Sequence, residues 1–543
     1  MLYHVCDTFG LFNNKGGVGK TTLSFQMICE FARKHPDKIV AVVDMCPQAN
    51  LSQTLLTHSY NTTSNRQLVM ERGDYKVKEQ ALKEDADGFP KTVAGVVCKV
   101  AAAGFLDSGK INEYFLRVHD TNPHVPNNIL LLCGDAGLDS IAAGLSDEAQ
   151  KTPMGTVVDP FWDVHTRIKR VLAKLPVELG RDVYGFVDTN PALTVYTHIA
   201  LCAMTKVVLP MNNDEYSATA VRDVLTRVYA TSAPPVNALS GMYDKSFEYK
   251  IRHKYSADSP GCPPSRVIEM PKIHMLIMNK MSLSVGTAEA QIGTITWKKA
   301  VEIMKDALYE EGWGRVPGIF SPRQAHVDRD PANRNWDLYS SAFLTNYLFF
   351  MSDLASAGSI GSTSGVPIFE LHDQKNRPLL ENLKREFSAR GVKAQMLRKA
   401  QVFIEYLVHH MTNDRPNMPR TGRTIKQHLI PEEIWAGNPQ LAPPTPAAGG
   451  GAPTPPPPVD DDNSDDDSDG GNSPGAAMAA SAPGQANASR AGINRGSASE
   501  EAAGQCSTHM AAAASMASSP QLKRAAEADP KTLKGQTPKQ KKA

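Results

Sequence analysis

The chain has 543 residues, 41% of them hydrophobic, and a formal net charge of +1. That is enough apolar material for one large α/β core or for two domains, and the net charge alone selects no partner. No run of about 18 uninterrupted apolar residues occurs, which excludes a hydropathy-defined membrane span. The start, "MLYHVCDTFG", lacks the basic and apolar blocks of a secretory leader, so an intracellular, cytoplasmic protein is expected.

Taken in chain order, the first distinctive stretch is "FNNKGGVGKTTLS" at 12–24. It nearly fits the phosphate-binding pattern G-x-x-x-x-G-K-[ST], with Asn14 where the first glycine belongs and an extra lysine, Lys15, after it. A helix is predicted over 21–34, followed by the apolar run "KIVAVVDM" (38–45), which ends in Asp44 and a polar motif, "VVDMCPQANLS" (42–52). Further short apolar runs are "NILLLCG" (128–134), "VYGFVDTNP" (183–191), "KVVLPMN" (206–212), "IHMLIMNK" (273–280) and "GVPIFEL" (365–371). Runs of this kind, continuous rather than alternating, are what strands buried on both faces require. Helical stretches at 161–176, 214–230 and 377–411 fall between or after them. The alternation predicts a doubly wound, mostly parallel α/β sheet, in which ligands sit at the carboxyl ends of the strands. The glycine loop, Asp44, Asp188 and Asn279 all fall at predicted strand ends.

The chemistry of the loop follows from its residues. Gly16, Gly17 and Gly19 lack Cβ atoms, so the backbone around Val18 turns tightly and aims N–H groups at phosphate oxygens. The helix beginning near Lys20 adds its N-terminal dipole to the same anion site, which reaches Thr22. Lys20 supplies charge to β- and γ-phosphates, and the Thr21 hydroxyl is a Mg2+ ligand. Asp188, at the end of an apolar run, is placed to hold that ion through water. Asn279, at its strand end, is placed to cap a loop.

"KGGVGKTT" resembles the deviant Walker A motif of the ParA/MinD superfamily of P-loop ATPases. The resemblance extends through "VVDMCPQANLS", similar to the family's D-x-D-P-Q-x-N motif, "NNILLLCGDAGLDS", and "FVDTNPALTVYTHIAL", similar to its Walker B segment. It reaches the weaker segments "MNK" and "DLASAGSIGSTSGVPIFEL" (353–371). It implies a P-loop NTPase fold over 1–375, with insertions at about 60–125 and 240–271. It further implies an ATP-dependent homodimer in which Lys15 reaches the partner's phosphates. Lys15, Lys20 and Asp44 are then catalytic, Gly16 to Thr22 and Asn279 hold the nucleotide, and Thr21, Asp44 and Asp188 hold magnesium.

Two residues depart from the family pattern. Cys46 stands where the second aspartate helps place the attacking water, and a neutral thiol is a poor acceptor for ordering it. Asn190 replaces the first proline after Walker B. The expectation is therefore a ParA-like DNA-partitioning or cargo-positioning ATPase with slow or partner-stimulated hydrolysis. The alternatives are a nucleotide-sensing scaffold with little catalysis and a MinD-like switch at a membrane surface.

Eight cysteines (Cys6, Cys29, Cys46, Cys98, Cys133, Cys202, Cys262, Cys506) form no C-x-x-C pair and read as ordinary thiols in a reducing compartment. His409 and His410 have no companions at ligand spacing and read as surface or packing residues. Residues 376–439 read as a helical extension; earlier, "WKKAVEIMKDALYEEG" (297–312) carries Lys298, Lys299 and Lys305 on a solvated or DNA-facing helix. Residues 440–543 are rich in Ala, Gly, Ser and Pro, carry the acidic block "DDDNSDDDSD" (460–469), and read as a disordered tail. Their basic end suits phosphate neutralisation on nucleic acid, as in a nucleoid-associated protein, a nuclear-import address, or a merely solvating tail.

Overall fold

A computed structural model describes residues 3–64, 66–103, 111–152, 159–212, 214–229, 246–281, 319–321, 347–352, 354–389 and 392–412. The expectations for 297–312, for the acidic block and for the basic tail lie outside these residues.

Strand β1 (Val5–Leu11) leads through the glycine loop into helix α1 (Lys20–Lys34), followed by β2 (Ile39–Asp44) and α2 (Asn50–Leu56). The first predicted insertion holds a hairpin, β3 (His58–Asn61) with β4 (Leu68–Glu71), then α3 (Gly73–Ala81), α4 (Val93–Ala103) and the short β5 (Leu116–Arg117). Next come β6 (Ile129–Leu132), α5 (Gly137–Gln150), α6 (Pro160–Leu179), β7 (Val183–Asp188), α7 (Val195–Ala203), β8 (Lys206–Asn212) and α8 (Glu215–Tyr229). The second insertion carries α9 (Phe247–Lys254), ahead of β9 (Lys272–Met281) and β10 (Leu348–Ser352). Helices α10 (Ala355–Ser364), α11 (Ile368–His372), α12 (Arg377–Glu386) and α13 (Ala394–Thr412) complete the described chain.

The sheet runs β10-β9-β8-β1-β7-β2-β6-β5, parallel throughout except for β5, which pairs antiparallel with β6 at the edge. Every residue of β2 is buried, and β6 is equally apolar, as expected of strands covered on both faces. Helices α1, α10 and α13 form one packed group, and α5, α6 and α7 another. In the core, Phe9 of β1 lies 5.9 Å from Phe31 of α1 and 5.5 Å from Phe186 of β7, ring centre to ring centre. Buried His274 of β9 donates from Nε2 toward the carbonyls of His410 and Met411, at 3.1 and 3.0 Å. These are among the last carbonyls of α13, which have no intrahelical partner, so the imidazole caps that helix from inside the sheet. His410 is itself buried.

The helix starts and stops have local causes. Asp159 caps α6 by accepting from the Trp162 N–H at 3.2 Å, Pro160 takes the first helical position, and Gly180 ends the helix in the left-handed conformation. Ser246 caps α9 by accepting from the Tyr249 N–H.

Two expectations are corrected here. "GVPIFEL" is not a strand: Gly365, at φ 70°, stops α10, Pro367 stands at the N-cap, and α11 begins at Ile368, whose N–H donates to Gln26 Oε1 at 2.9 Å. A short apolar run has no period that separates buried strand from buried helix, and the sheet position beside β9 is taken by β10. The single helix expected over 377–411 is two, separated at Ser388, whose φ of 50° is incompatible with continuing the turn.

Gly365 also joins distant parts of the chain. A Cβ there would lie 1.8 Å from the Thr57 carbonyl oxygen, and its own carbonyl accepts from Asn122 Nδ2 at 2.7 Å. Gly365→Ala is therefore expected to destabilise the protein by about 2 kcal/mol or more, from left-handed strain plus the clash. Gly144→Ala, on an open stretch of α5, should gain up to about 1 kcal/mol. Urea unfolding of both variants checks this; equal midpoints would contradict it.

Candidate nucleotide and magnesium site

Because the central strands are parallel, their carboxyl ends share one edge of the sheet. Asp44 and Asp188 are register partners on β2 and β7, Leu11 of β1 is level with Asp188, and Asn212 is level with Asn279 on β8 and β9. The glycine loop leaves β1 at this edge, so every predicted site residue except the Lys15 side chain converges on it.

Positive φ angles at Gly17 (73°) and Gly19 (86°) bend the loop back on itself. Cβ atoms built on Gly16 and Gly17 would meet nothing within 4 Å, so this flank of the loop is open. The inner flank is closed. A Cβ at Gly19 would lie 2.4 Å from Asn279 Nδ2, which donates to the Val18 carbonyl at 3.0 Å, while Asn212 Nδ2 donates to the Gly17 carbonyl at 3.3 Å. Of the two roles expected for Asn279, its position here is that of a buried strut beneath the loop. Asn13 adds a second brace: its amide donates to the Pro210 carbonyl at 2.8 Å and its Oδ1 accepts from the Lys15 N–H at 2.9 Å.

Lys20, the first residue of α1, is 7% exposed, and its ammonium donates to the carbonyls of Asn13 and Lys15 at 3.0 and 3.1 Å. Burial lowers its pKa, opposed by the nearby Asp188. The next residue, Thr21, donates its hydroxyl to Asp188 Oδ2 at 3.1 Å, and Ser24 donates to Oδ1 at 2.9 Å. Thr22 is half-buried beside α10, with its methyl facing Gly358.

Asp188 is 1% exposed; burial, and then the negative charge of Asp44, push its carboxyl up to about 7. Asp44 is fully buried and turned into its own loop, accepting from the Cys46 N–H at 3.1 Å and from both the N–H and the hydroxyl of Ser52 at 2.8 Å. Burial raises its pKa as well. Two desolvated carboxylates side by side call for a cation. Among the described residues no group of three or more His, Cys, Asp and Glu side chains surrounds a common point. Magnesium keeps several waters and takes further ligands from substrate phosphates, so its share from the protein can be as small as a hydroxyl and a carboxylate. The open glycine flank, the ammonium at its base and the Thr21–Asp188 pair fit a magnesium-nucleotide as a set.

Lys15 points elsewhere. Its ammonium pairs with Asp214 and donates to Ser217 Oγ at 3.1 Å, and it stands 5.7 Å from the ring of Tyr216, a residue 79% exposed. Asp214 in turn caps the start of α8, accepting from the Ser217 N–H at 2.8 Å, and Asn14 donates to Asp223 further along at 3.1 Å. Both residues ahead of the first loop glycine are thus clipped to α8.

Cys46 is 7% exposed. Burial and the neighbouring Asp44 push its thiol up to about 11, so it is neutral near pH 7. Asn190 ties the segment after Asp188 to α7: it donates to the Tyr196 hydroxyl at 3.1 Å and accepts from Thr197 at 2.8 Å, and the Tyr196 hydroxyl donates onward to Asp139 at 2.9 Å. Asp214, Asn212 and Ser24 are site residues that sequence reasoning missed. The alternation of polar residues "NNDEYS" just past a strand end was the signal available for the first two.

Residues 7–119 match the family described as AAA domain. No curated protein matches the sequence significantly. Among solved structures the chain is similar to apo McdA from Cyanothece, at 13% identity and a TM-score of 0.37, over 70% of this chain and 98% of that one. It is similar to a plasmid partition protein from Borrelia burgdorferi bound to AMPPNP, at 14% identity and a TM-score of 0.32, over 71% and 99%. It is also similar to pNOB8 ParA bound to nonspecific DNA, at 13% identity and a TM-score of 0.33, over 70% and 100%. Likenesses at this level fix no residue's role. The matched residues, 7–119, include the glycine loop between β1 and α1 and the strand β2 that ends in Asp44.

Proposed function

We propose that the protein is a ParA-like switch that binds MgATP, pairs with a second copy of itself while ATP is bound, and positions DNA or another cargo. The observation that carries this reading is the Thr21 hydroxyl held on a buried Asp188 at the foot of an open glycine loop. In this reading the N–H groups from Gly16 to Thr22 and the Lys20 ammonium receive the phosphates. Thr21 and Asp188 hold magnesium, which supplies charge neutralisation at the β- and γ-phosphates when bound. Asp44 adds negative charge from beneath and fixes the 45–52 loop by its bonds to Ser52 and Cys46. Asn279 and Asn212 keep the loop in its phosphate-ready shape.

Lys15 is the residue that reaches the partner's phosphates, and it does so by leaving Asp214. An ion pair whose two side chains are 26% and 37% exposed is weak enough to be exchanged for a phosphate contact. Hydrolysis is slow, because the position facing the attacking water carries a neutral thiol that accepts hydrogen bonds poorly. The same thiol favours a second reading, a nucleotide-held scaffold whose release signal comes from a stimulating partner protein. The two readings share the site and differ in turnover. Among the described residues no helix is long and apolar enough to cross a membrane.

Cys46→Asp is expected to raise the ATP turnover of the purified chain by about tenfold or more, with ATP affinity changed little, since one well-placed general base contributes on the order of 100-fold. Unchanged turnover would show that Cys46 does not limit hydrolysis. Asp214→Asn keeps a side chain able to cap α8 and removes the charge that holds Lys15. It should lower the protein concentration needed for ATP-dependent dimerisation by up to about fivefold, while Lys15→Ala should abolish that dimer. Light scattering behind size exclusion reads both, and an Asp214→Asn protein that dimerises less well than wild type would contradict the exchange. Sedimentation with DNA, with and without ATP, tests the cargo: retention that ignores ATP favours the scaffold.

A further inference from the structure

Away from the nucleotide edge, a cavity of about 380 Å3 opens between α5, α6, α7 and α9. Its existence is written into α5, where Ala142, Ser146 and Ala149 place small side chains on the one helical face that lines it. Aromatic rings line its floor. Phe247 stacks on His198 at 4.0 Å with the planes 5° apart, Phe161 lies 4.1 Å from His165, and the two phenylalanines are 6.2 Å apart. Phe161, Phe247 and His165 are each at most 6% exposed, while Gln150 stands exposed at the rim.

The two imidazoles give the cavity its polarity. His165 donates from Nδ1 to the Phe161 carbonyl at 2.8 Å, which leaves its Nε2 as an acceptor with no partner among the described residues. His198 makes ring contacts only, with no side-chain hydrogen bond among the described residues. Burial holds both rings well below the usual histidine range, to about 4 and about 3, so both are neutral near pH 7. Among the described residues that line the cavity, Lys250 brings an ammonium, 4.8 Å from the Phe161 ring centre. An alkyl chain would leave the imidazole nitrogens desolvated and unpaired, which is costly. A flat ring bearing a donor satisfies both the stacking faces and the acceptor.

We propose that this cavity binds a small planar aromatic molecule carrying an N–H or O–H donor and an acidic group, the donor meeting the imidazoles and the acid meeting Lys250. The walls include Leu193, Thr194 and Val195, which join the segment after Asp188 to α7. Occupancy therefore braces that segment alongside the Asn190–Tyr196–Asp139 bonds, making the cavity an effector site for the strand end that carries Asp188.

The test is calorimetric titration of the full-length, nucleotide-free chain with indole and with indole-3-acetate. Both are expected to bind below millimolar concentration, the acid about fivefold tighter through its charge-assisted contact. Ser146→Trp, which fills the cavity, should abolish binding of both, and Lys250→Gln should remove the preference for the acid while leaving indole unaffected. Amide exchange in 189–195 should slow when indole-3-acetate is added. No binding of either probe at millimolar concentration, or unchanged binding in a folded Ser146→Trp, overturns the site. If Ser146→Trp does not fold, Lys250→Gln decides, and an intact preference for the acid overturns the assignment. Unchanged exchange in 189–195 overturns the bracing. All these readouts are taken without nucleotide, so their failure is distinct from failure of the MgATP reading.

Discussion

The carboxylate of Asp188 is the group on which the rest of the site depends. It sits at the end of β7 with almost no solvent, bonded by Thr21 and Ser24 from the first two turns of α1 and faced by the fully buried Asp44 at the same level of β2. Burial, and then repulsion from the buried Asp44 at the adjacent strand end, drive Asp188 upward in pKa. A cation held by Asp188 and Thr21 would offset that repulsion. The parallel sheet makes this possible because only parallel neighbours bring the glycine loop, both aspartates and the two asparagines to one edge.

From that edge, two lines of contact run outward. One passes through Asn14 and Lys15 to Asp223 and Asp214 on α8. The other passes from Asp188 through Asn190 to Tyr196 and Thr197 on α7, and so to Asp139 on α5. The first holds the extra lysine within its own chain; the second couples the segment after Asp188 to the helices that enclose the aromatic cavity. A phosphate group acting on Lys15 or a cation on Asp188 therefore reaches a different helix in each case. The inserted helix α9 supplies Phe247 and Lys250 to the cavity, so this insertion contributes a wall rather than a loose appendage.

Much of this was legible in the sequence because its signals are local. Continuous apolar runs located β2, β6, β7, β8 and β9 to within a few residues, and the glycine and lysine spacing located the loop. The central strand β1 was not in that set: Cys6, Asp7 and Thr8 interrupt its apolar pattern, and its pairing with β7 on one side and β8 on the other depends on residues about 180 to 200 positions away. The misread segment at 365–371 failed for the opposite reason, since its apolar run is real but Gly365 and Pro367 turn it into a helix start. The Lys15–Asp214 pair and the Asn279 strut join residues about 200 and 260 positions apart. Spacing along the chain carries no trace of such contacts, and neither the cavity nor the inward turn of Asp44 has a motif of its own.

The central claim is that Asp188 and Thr21 hold the magnesium of a bound nucleotide. Its most direct test is ATP affinity of the full-length chain measured by equilibrium dialysis with and without magnesium, for wild type, Thr21→Ala and Asp188→Asn. The account predicts that wild type binds ATP tightly only with magnesium and that both variants lose this dependence. Magnesium-dependent binding retained in Asp188→Asn, or wild-type binding indifferent to magnesium, would contradict it.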